Sequence, residues 1–436
     1  DSRWSFEFLH TLFMTVAVDT LDLREETNKR DRLIDELSEG SNWPALVFVS
    51  SPDKANQLAI DVSAAMALSE DSAEFADWLA HNVGERNFLS EAVEMGVGIH
   101  HGRVPRAIAA RMIQLFNYET LPVLLCTSTL IEGVNTRAKT VMIYDKSINN
   151  RDYDFFTFSN IRGRAGRLGQ HHVGKVLLFN DVPDREELEI APTIFGDEDQ
   201  YPDEYIVHLD ERERPSRSRE RYVVLSEALQ LDPEDMRTAS SIGLEKAVQL
   251  RKALHAAFDA GVRLGWRGVP RYNEILAVNS VICEVQSVNS FGARSPKQLT
   301  YFLDQLRRAE TLRAFLIGMD ESFKGRPHEA DWIFKFLRAC EYGLAQYYAV
   351  SELFVQQVND QTDYSAFYGG MSSWFRPELL KELDEEAIPI QIAERFYRSG
   401  DDKAALISRM MESAKATDDR LSEFERSWLL DVISPA

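Results

Sequence analysis

Short, unbroken apolar runs alternate with helical spacing over roughly the first 180 residues, and helical spacing alone fills the remainder. Ala45-Leu-Val-Phe-Val-Ser50 is the first such run, and Val97-Gly-Ile-His100, Val123-Leu-Leu-Cys126, Val141-Met-Ile-Tyr144 and Lys175-Val-Leu-Leu-Phe179 repeat it. Runs of this length with no polar alternation mark strands buried on both faces. Between them the spacing predicts a helix capped by Asp53 and running to about Leu68, one over Pro105 to Tyr118, and one over Asp154 to Arg162. Alternating strands and helices predict an α/β fold, a doubly wound parallel sheet over 41–182, whose ligands bind at the carboxyl ends of its strands. Ahead of it, residues 20–40 read as a charged helix with a thin apolar stripe closed by Gly40, so that 1–40 is expected to be a helical lead-in.

After Asn180 the pattern changes. An acidic, Pro-containing stretch and the mixed-charge run Glu211 to Arg221 read as a connector over 183–220. Helical spacing then returns at Leu244 to Gly261, Lys297 to Gly318, His328 to Val358 and Asp401 to Ile433, while the apolar run Val278 to Val288 fits strand or helix. There is no internal repeat and no low-complexity tract.

Composition narrows the class. With 436 residues, 44% hydrophobic and 27% charged, the chain supports two or three globular cores. Cys126, Cys283 and Cys340 lie far apart, which argues against a disulfide framework or a zinc ribbon and for a reducing, cytoplasmic setting. No apolar run approaches a membrane span, and the first residues lack a signal pattern. The net charge of −21 speaks against nucleic acid, but His100 to Asn180 carries eleven Lys+Arg against five Asp+Glu. A polyanion is therefore drawn to that segment and repelled elsewhere.

The chemistry concentrates in the same segment. Asn160-Ile-Arg-Gly-Arg-Ala-Gly-Arg167 sets Arg164 and Arg167 among glycines in what reads as a helix start, where guanidinium forks and free N–H groups suit phosphoryl oxygens. Upstream, a strand ends in Cys126-Thr-Ser-Thr-Leu-Ile-Glu-Gly-Val-Asn135, and another strand follows at Lys175. The adjacent His100 and His101 point to opposite faces of a strand with no partner at ligand spacing, so no metal site is expected.

In order and spacing these segments resemble the second motor domain of superfamily 2 helicases, within them the superkiller-like branch. The resemblance implies a RecA-like domain in which Arg164 and Arg167 reach the γ-phosphate of ATP. It implies that Gly133, Asn135, Asn160 and Gly163 lie on the nucleotide side. Ser50, Ser51, His101, Gly102, Thr127, Ser128 and Thr129 would contact nucleic-acid phosphates without reading sequence. The carboxyl half would then hold a winged-helix-like or helical domain over 221–295 and a helical bundle over 296–436. Arg263, Trp266, Arg267 and Arg271 form a candidate strand contact there, beside the plainer reading of a core tryptophan among surface arginines.

The chain also departs from the family. Pro52 stands where a basic residue is common, Asn160 replaces a usual Gln, and Ile131-Glu132 precedes Gly133. A Gly-x-x-x-x-Gly-Lys-[Ser/Thr] loop and an Asp-Glu box are missing, so ATP and Mg2+ are expected to be held mainly by a first motor domain, in cis or in trans. Since the chain begins with Asp1, it reads as the carboxyl-terminal half of such a motor, inactive as an ATPase by itself. Expected partners are a single strand, or a duplex with a single-stranded tail, with DNA favoured over RNA. The alternative is a non-hydrolysing scaffold that recruits a partner such as a nuclease. Similar segments in bacterial helicases suggest a prokaryotic phage-defence setting for either.

Overall fold

The computed structural model describes residues 6–10, 15–20, 26–85, 87–128, 136, 138–148, 151–163, 173–183, 201–322, 330–416 and 419–434. Its strands are β1 (Phe6–His10), β2 (Thr15–Thr20), β3 (Ala45–Phe48), β4 (Val97–His100), β5 (Val123–Cys126), β6 (Thr140–Ile143), β7 (Ser147–Ile148), β8 (Arg151–Asp152) and β9 (Val173–Leu178). The first helices are α1 (Glu26–Ser38), α2 (Pro52–Ser63), α3 (Ala73–Asn82), α4 (Phe88–Glu94), α5 (Arg106–Asn117) and α6 (Phe155–Arg162). Then come α7 (Asp203–Ile206), α8 (Ser216–Leu229), α9 (Pro233–Ala239), α10 (Leu244–Asp259), α11 (Tyr272–Val285), α12 (Pro296–Arg308) and α13 (Leu312–Ser322). The last are α14 (Ala330–Tyr342), α15 (Leu344–Gln356), α16 (Ser365–Ser372), α17 (Glu378–Glu385), α18 (Ile390–Ala393), α19 (Lys403–Lys415) and α20 (Glu423–Ile433).

The expected sheet is present. Seven strands run in the order β1-β2-β9-β6-β3-β5-β4, all neighbours parallel except β1 and β2. Each residue of β3, β5 and β6 is buried, as continuous apolar runs require. From β3 the chain travels to β4 on one side, and from β6 to β9 on the other. Neighbouring strands whose connections diverge leave a crevice at their carboxyl ends, here between β3 and β6.

The helical lead-in is corrected over its first half. Phe6–His10 and Thr15–Thr20 form an antiparallel hairpin, and β2 extends the sheet by pairing with β9. Thr15-Val-Ala-Val-Asp-Thr20 is rich in β-branched residues and finds an open sheet edge, which outweighs the helical pattern that starts only at Glu26.

The chain divides into two compact units. One comprises Asp1–Leu188, Thr311–Asp331 and Leu379–Ala436; the other comprises Glu189–Glu310 and Trp332–Glu378. Residues 296–436 therefore do not make one bundle. The expected helix from Lys297 to Gly318 breaks after Arg308, where Ala309 turns extended. Arg376 donates to the carbonyls of Leu306 and Ala309 and so closes α12, while the Glu394 carboxylate accepts from Leu312 N at 2.9 Å and starts α13. The described residues of 221–295 hold helices and no strand, so Val278 to Val288 begins in a helix. Part of the expected connector is also helical, in α7 and the start of α8.

In the sheet unit, α20 packs on α3 through Phe75, Trp78, Phe424 and Trp428, with the two indoles 5.0 Å apart. Trp78 Nε1 donates to Glu425 at 2.9 Å, and Trp428 is fully buried. In the helical unit, Trp266 stacks on Tyr364 at 3.8 Å, and Tyr348 donates to Asn279, which donates to Thr300. Trp266 is a core residue, so its ring is not a surface on which a base can stack.

Candidate functional site

The sheet ladder continues past the strand ends and aligns the segments that follow them. Val49 N donates to Cys126 O, Thr127 N to His100 O and Tyr144 N to Phe48 O, at 2.9, 3.2 and 3.0 Å. Ser50, His101 and Thr127 are thereby brought to one end of the sheet, with Asp145 beside them.

Asp145 organises the crevice between β3 and β6. Its carboxylate accepts from Ser50 N at 2.8 Å and from Lys54 Nζ at 2.7 Å. Lys54 also lies over the Tyr144 ring, as does Lys29, which donates to Asn180. Asn180 in turn donates to Tyr144 O, so one polar network runs along the carboxyl ends of β3, β6 and β9. Burial first, then the Asp145 and Asp152 charges, push the Tyr153 phenol well above its ordinary range. Lys54 did not stand out in the sequence, although it lies in the first turn of a helix.

Ser51, not Asp53, caps α2: its hydroxyl accepts from Lys54 N at 3.3 Å, and Pro52 takes the first helical position, where its missing N–H is no loss. The Ser51 oxygen and the Ser50 N–H are thus engaged within the protein. Asp53 instead pairs with Arg103 at 2.6 Å. Thr127 is buried at the end of β5 and Ser128 half-buried after it.

His101 is only 1% exposed. Its Nδ1 accepts from Arg103 N at 3.3 Å, which leaves Nε2 to donate to Asn56 Oδ1 at 2.8 Å. Burial, with the Arg103 and His100 charges adding to it, lowers its pKa to about 3, and burial lowers that of His100 to about 4. Both rings are neutral. Both ring nitrogens of His101 are thus used inside the fold, and Gly102 is exposed beside it. Among the described residues no cluster of His, Cys, Asp or Glu is arranged to hold a metal ion.

The amino terminus of α5 meets a carboxylate of the same chain. Pro105 offers no side-chain cap, and the Asp384 carboxylate accepts from Arg106 N and Ala107 N, each at 3.3 Å. Other cations of the basic segment are also matched from within the chain: Arg103 by Asp331 as well as Asp53, Arg111 by Asp431, and Lys175 by Glu36.

Asn160 is exposed on the last turn of α6, and Gly163 is its C-cap with φ −63°, an ordinary helical value. Gly163 thus closes a helix, and the arginine motif follows that helix's carboxyl end in the chain. Arg164 and Arg167, with Gly133, Asn135 and Thr129, lie outside the described residues.

The family described as helicase conserved C-terminal domain matches residues 28–169, which hold the four aligned strand ends of β3, β4, β5 and β6 and run through α6. Over those residues the chain therefore matches the class of helicases in their conserved C-terminal domain, and mostly helical segments follow them. Within that class it is similar to Anti-bacteriophage protein B of Escherichia coli (strain K12), 34% identical over 195 residues that make up 43% of this chain and 27% of that protein. Activating signal cointegrator 1 complex subunit 3 of Danio rerio is 32% identical over 32% of this chain and 10% of its own length. The RQC trigger complex helicase SLH1 of Saccharomyces cerevisiae is 28% identical over 31% and 8%. The chain thus spans about a quarter of the first of these relatives and a tenth or less of the other two. Among solved structures, S. cerevisiae Dbp5 bound to RNA and ADP BeF3 aligns with a TM-score of 0.28 and 21% identity, over 38% of this chain and 35% of that one. The DUF1998 helicase MrfA bound to DNA aligns with a TM-score of 0.28 and 9% identity, over 38% and 20%.

Proposed function

We propose that this chain works as the second motor domain and accessory domains of an ATP-dependent superfamily 2 helicase or translocase. ATP and Mg2+ are held mainly by a first motor domain, in cis or in trans, and closure of the cleft brings Arg164 and Arg167 to the γ-phosphate. Their planar, permanently charged forks suit charge spread over phosphoryl oxygens. Gly133, Asn135, Asn160 and Gly163 lie on the nucleotide side. The strand's phosphates run past Ser50, Ser51, Gly102, Thr127, Ser128 and Thr129, largely through backbone N–H and hydroxyl groups, so any sequence is tracked. His101 contributes by holding the turn rather than by contact. The observation that carries this reading is the alignment of Ser50, His101 and Thr127 at one sheet end within the segment that matches the helicase family. Similarity to Anti-bacteriophage protein B supports a role in defence against phage, and DNA is proposed as the favoured strand.

The test is strand-stimulated ATP hydrolysis by this chain alone, by the chain joined to a first motor domain, and by the joined form carrying Arg167→Ala. Activity that needs both domains and drops by about a thousandfold in the variant, with strand binding kept, is the expected result. A variant that hydrolyses ATP like the parent would overturn the assignment of Arg167.

A further inference from the structure

The connection between α10 and α11 runs from Ala260 to Arg271 and holds Arg263, Arg267 and Arg271 with no acidic residue, in a chain whose net charge is −21. The three arginines are exposed, whereas Leu264, Trp266 and Pro270 between them are buried. The buried residues fix the path of the backbone. Trp266 stacks on Tyr364, the Tyr364 hydroxyl donates to Leu264 O, Asp363 N donates to Trp266 O at 2.9 Å, and Arg307 donates to Pro270 O at 2.8 Å. Val262 N donates back to Ala257 O at 2.9 Å, and the Glu274 carboxylate accepts from Arg271 N at 2.6 Å, so each end is tied to the helix it joins.

Among the described residues none of the three guanidinium groups is in an ion pair. Asp363, which meets Arg267 in a backbone bridge, gives its carboxylate to Ser365, at 3.0 Å from the N–H and 2.6 Å from the hydroxyl. Those bonds, and after them the Arg267 charge, hold the Asp363 carboxyl below its usual range. Cations of the sheet unit differ: Arg103, Arg111 and Lys175 each meet a carboxylate of that unit. A ligand that takes one of those must first break a pair, and a ligand that takes Arg263, Arg267 and Arg271 need not. Beside Arg267 the loop is open: Gly268 has φ +75° with no atom within 4 Å of where a Cβ would lie, and Val269 is 83% exposed.

We propose that the connection from Gly261 to Arg271 is a nucleic-acid contact of the helical unit, in which Arg263, Arg267 and Arg271 pair with backbone phosphates of a single strand and Val269 packs against its sugars or bases. The inference rests on the strand-binding reading above and adds a second place of contact to it. Guanidinium forks meet phosphate oxygens two at a time, and such contacts hold a strand of any sequence. Because the backbone is already anchored, little conformational freedom is lost when the strand arrives. The acidic balance of the rest of the chain confines a polyanion to basic segments such as this one. A strand is favoured over an acidic protein segment because the same chain carries the match to a helicase domain.

The test is fluorescence anisotropy of labelled oligothymidylate at stepped salt concentrations, with the wild-type chain, a triple variant carrying Arg263→Gln, Arg267→Gln and Arg271→Gln, and the matching triple lysine variant. The three side chains are exposed, so both variants should keep the wild-type urea midpoint. Loss of three phosphate contacts flattens the dependence of log K on log salt by about 2 for a single strand, so the glutamine variant should bind about a hundredfold more weakly at about 0.1 M salt, with the gap closing toward about 1 M. Lysine keeps the charge and should keep the slope. As a check that needs no variant, hydrogen exchange of residues 261–271 in the wild-type chain should slow when the oligonucleotide is added. Equal affinity and slope in the glutamine variant, with exchange of 261–271 unchanged, would overturn the inference while leaving strand binding by the sheet unit intact. Protection of 261–271 by polyglutamate but not by oligothymidylate would assign the surface to an acidic protein and overturn the inference likewise. Absence of binding by the wild-type chain would overturn the inference and the strand-binding reading together.

Discussion

Replacing Asp145 by Ala removes two bonds at the mouth of the β3/β6 crevice, and their sizes differ. The bond from Ser50 N, at 2.8 Å to a carboxylate that is 6% exposed, is charge-assisted and contributes about 1.5–3 kcal/mol. The Lys54 pair is close, at 2.7 Å, but the lysine side chain is 31% exposed, so screening leaves about 0.5 kcal/mol. Together they set about 2–3.5 kcal/mol of local stability on one side chain. Since the chain has two units, global unfolding blurs such a local effect, and native-state hydrogen exchange at the Ser50 amide reads it directly. At about 1.4 kcal/mol per factor of ten, Asp145→Ala should speed that exchange about 30- to 300-fold. Lys54→Met, which leaves the Ser50 bond intact, should change it less than threefold. Exchange in Asp145→Ala that rises by less than fivefold would refute the assignment of Asp145 as the anchor of the segment after β3.

Other expectations follow from the same geometry. Gly292 has φ +70°, and a Cβ there would sit 2.5 Å from Phe336 N and Trp332 O, so Gly292→Ala should destabilise the helical unit by at least about 3 kcal/mol, read as a lowered urea midpoint. The two neutral histidines make stability pH-dependent: their folded pKa values, about 3 for His101 and about 4 for His100, lie below the 6.5 of a free imidazole, so the unfolded chain binds more protons. That stability is present above pH 6.5 and is lost as pH falls toward the folded values. The loss should be about 2 kcal/mol over the first pH unit below 6.5, and His101→Asn should halve it. Trp428→Ala, which empties a fully buried site stacked among Phe75, Trp78 and Phe424, should cost about 3–5 kcal/mol and release α20 to hydrogen exchange.

The sheet was legible because a strand covered on both faces must be apolar at every position, and β3, β5 and β6 are. Helices α5 and α6 were legible for a similar local reason, a proline or aspartate at the start of an apolar stripe. The hairpin of β1 and β2 was missed because strand character there depends on the free edge of β9, more than 150 residues later. Helix breaks in the carboxyl half were missed where the cap comes from elsewhere, as Arg376 closes α12 and Glu394 opens α13. One break was readable: Ser422-Glu-Phe-Glu425 is a capping box, and α20 starts there.

By itself the sequence determined the class, since the order of strand ends and the glycine-flanked arginines are properties of the chain's own text. It also placed the strand-end residues, because a parallel sheet carries the ends of all its strands to one side. Which of those groups remain free was decided only by tertiary structure. His101 is enclosed by Asn56 and the turn after it, Ser50 is anchored by Asp145, and the amino terminus of α5 is covered by Asp384. Periodicity reports which face of an element is apolar. It carries no information about a carboxylate brought within 3.3 Å from 277 residues away, because that approach is set by the packing of whole helices.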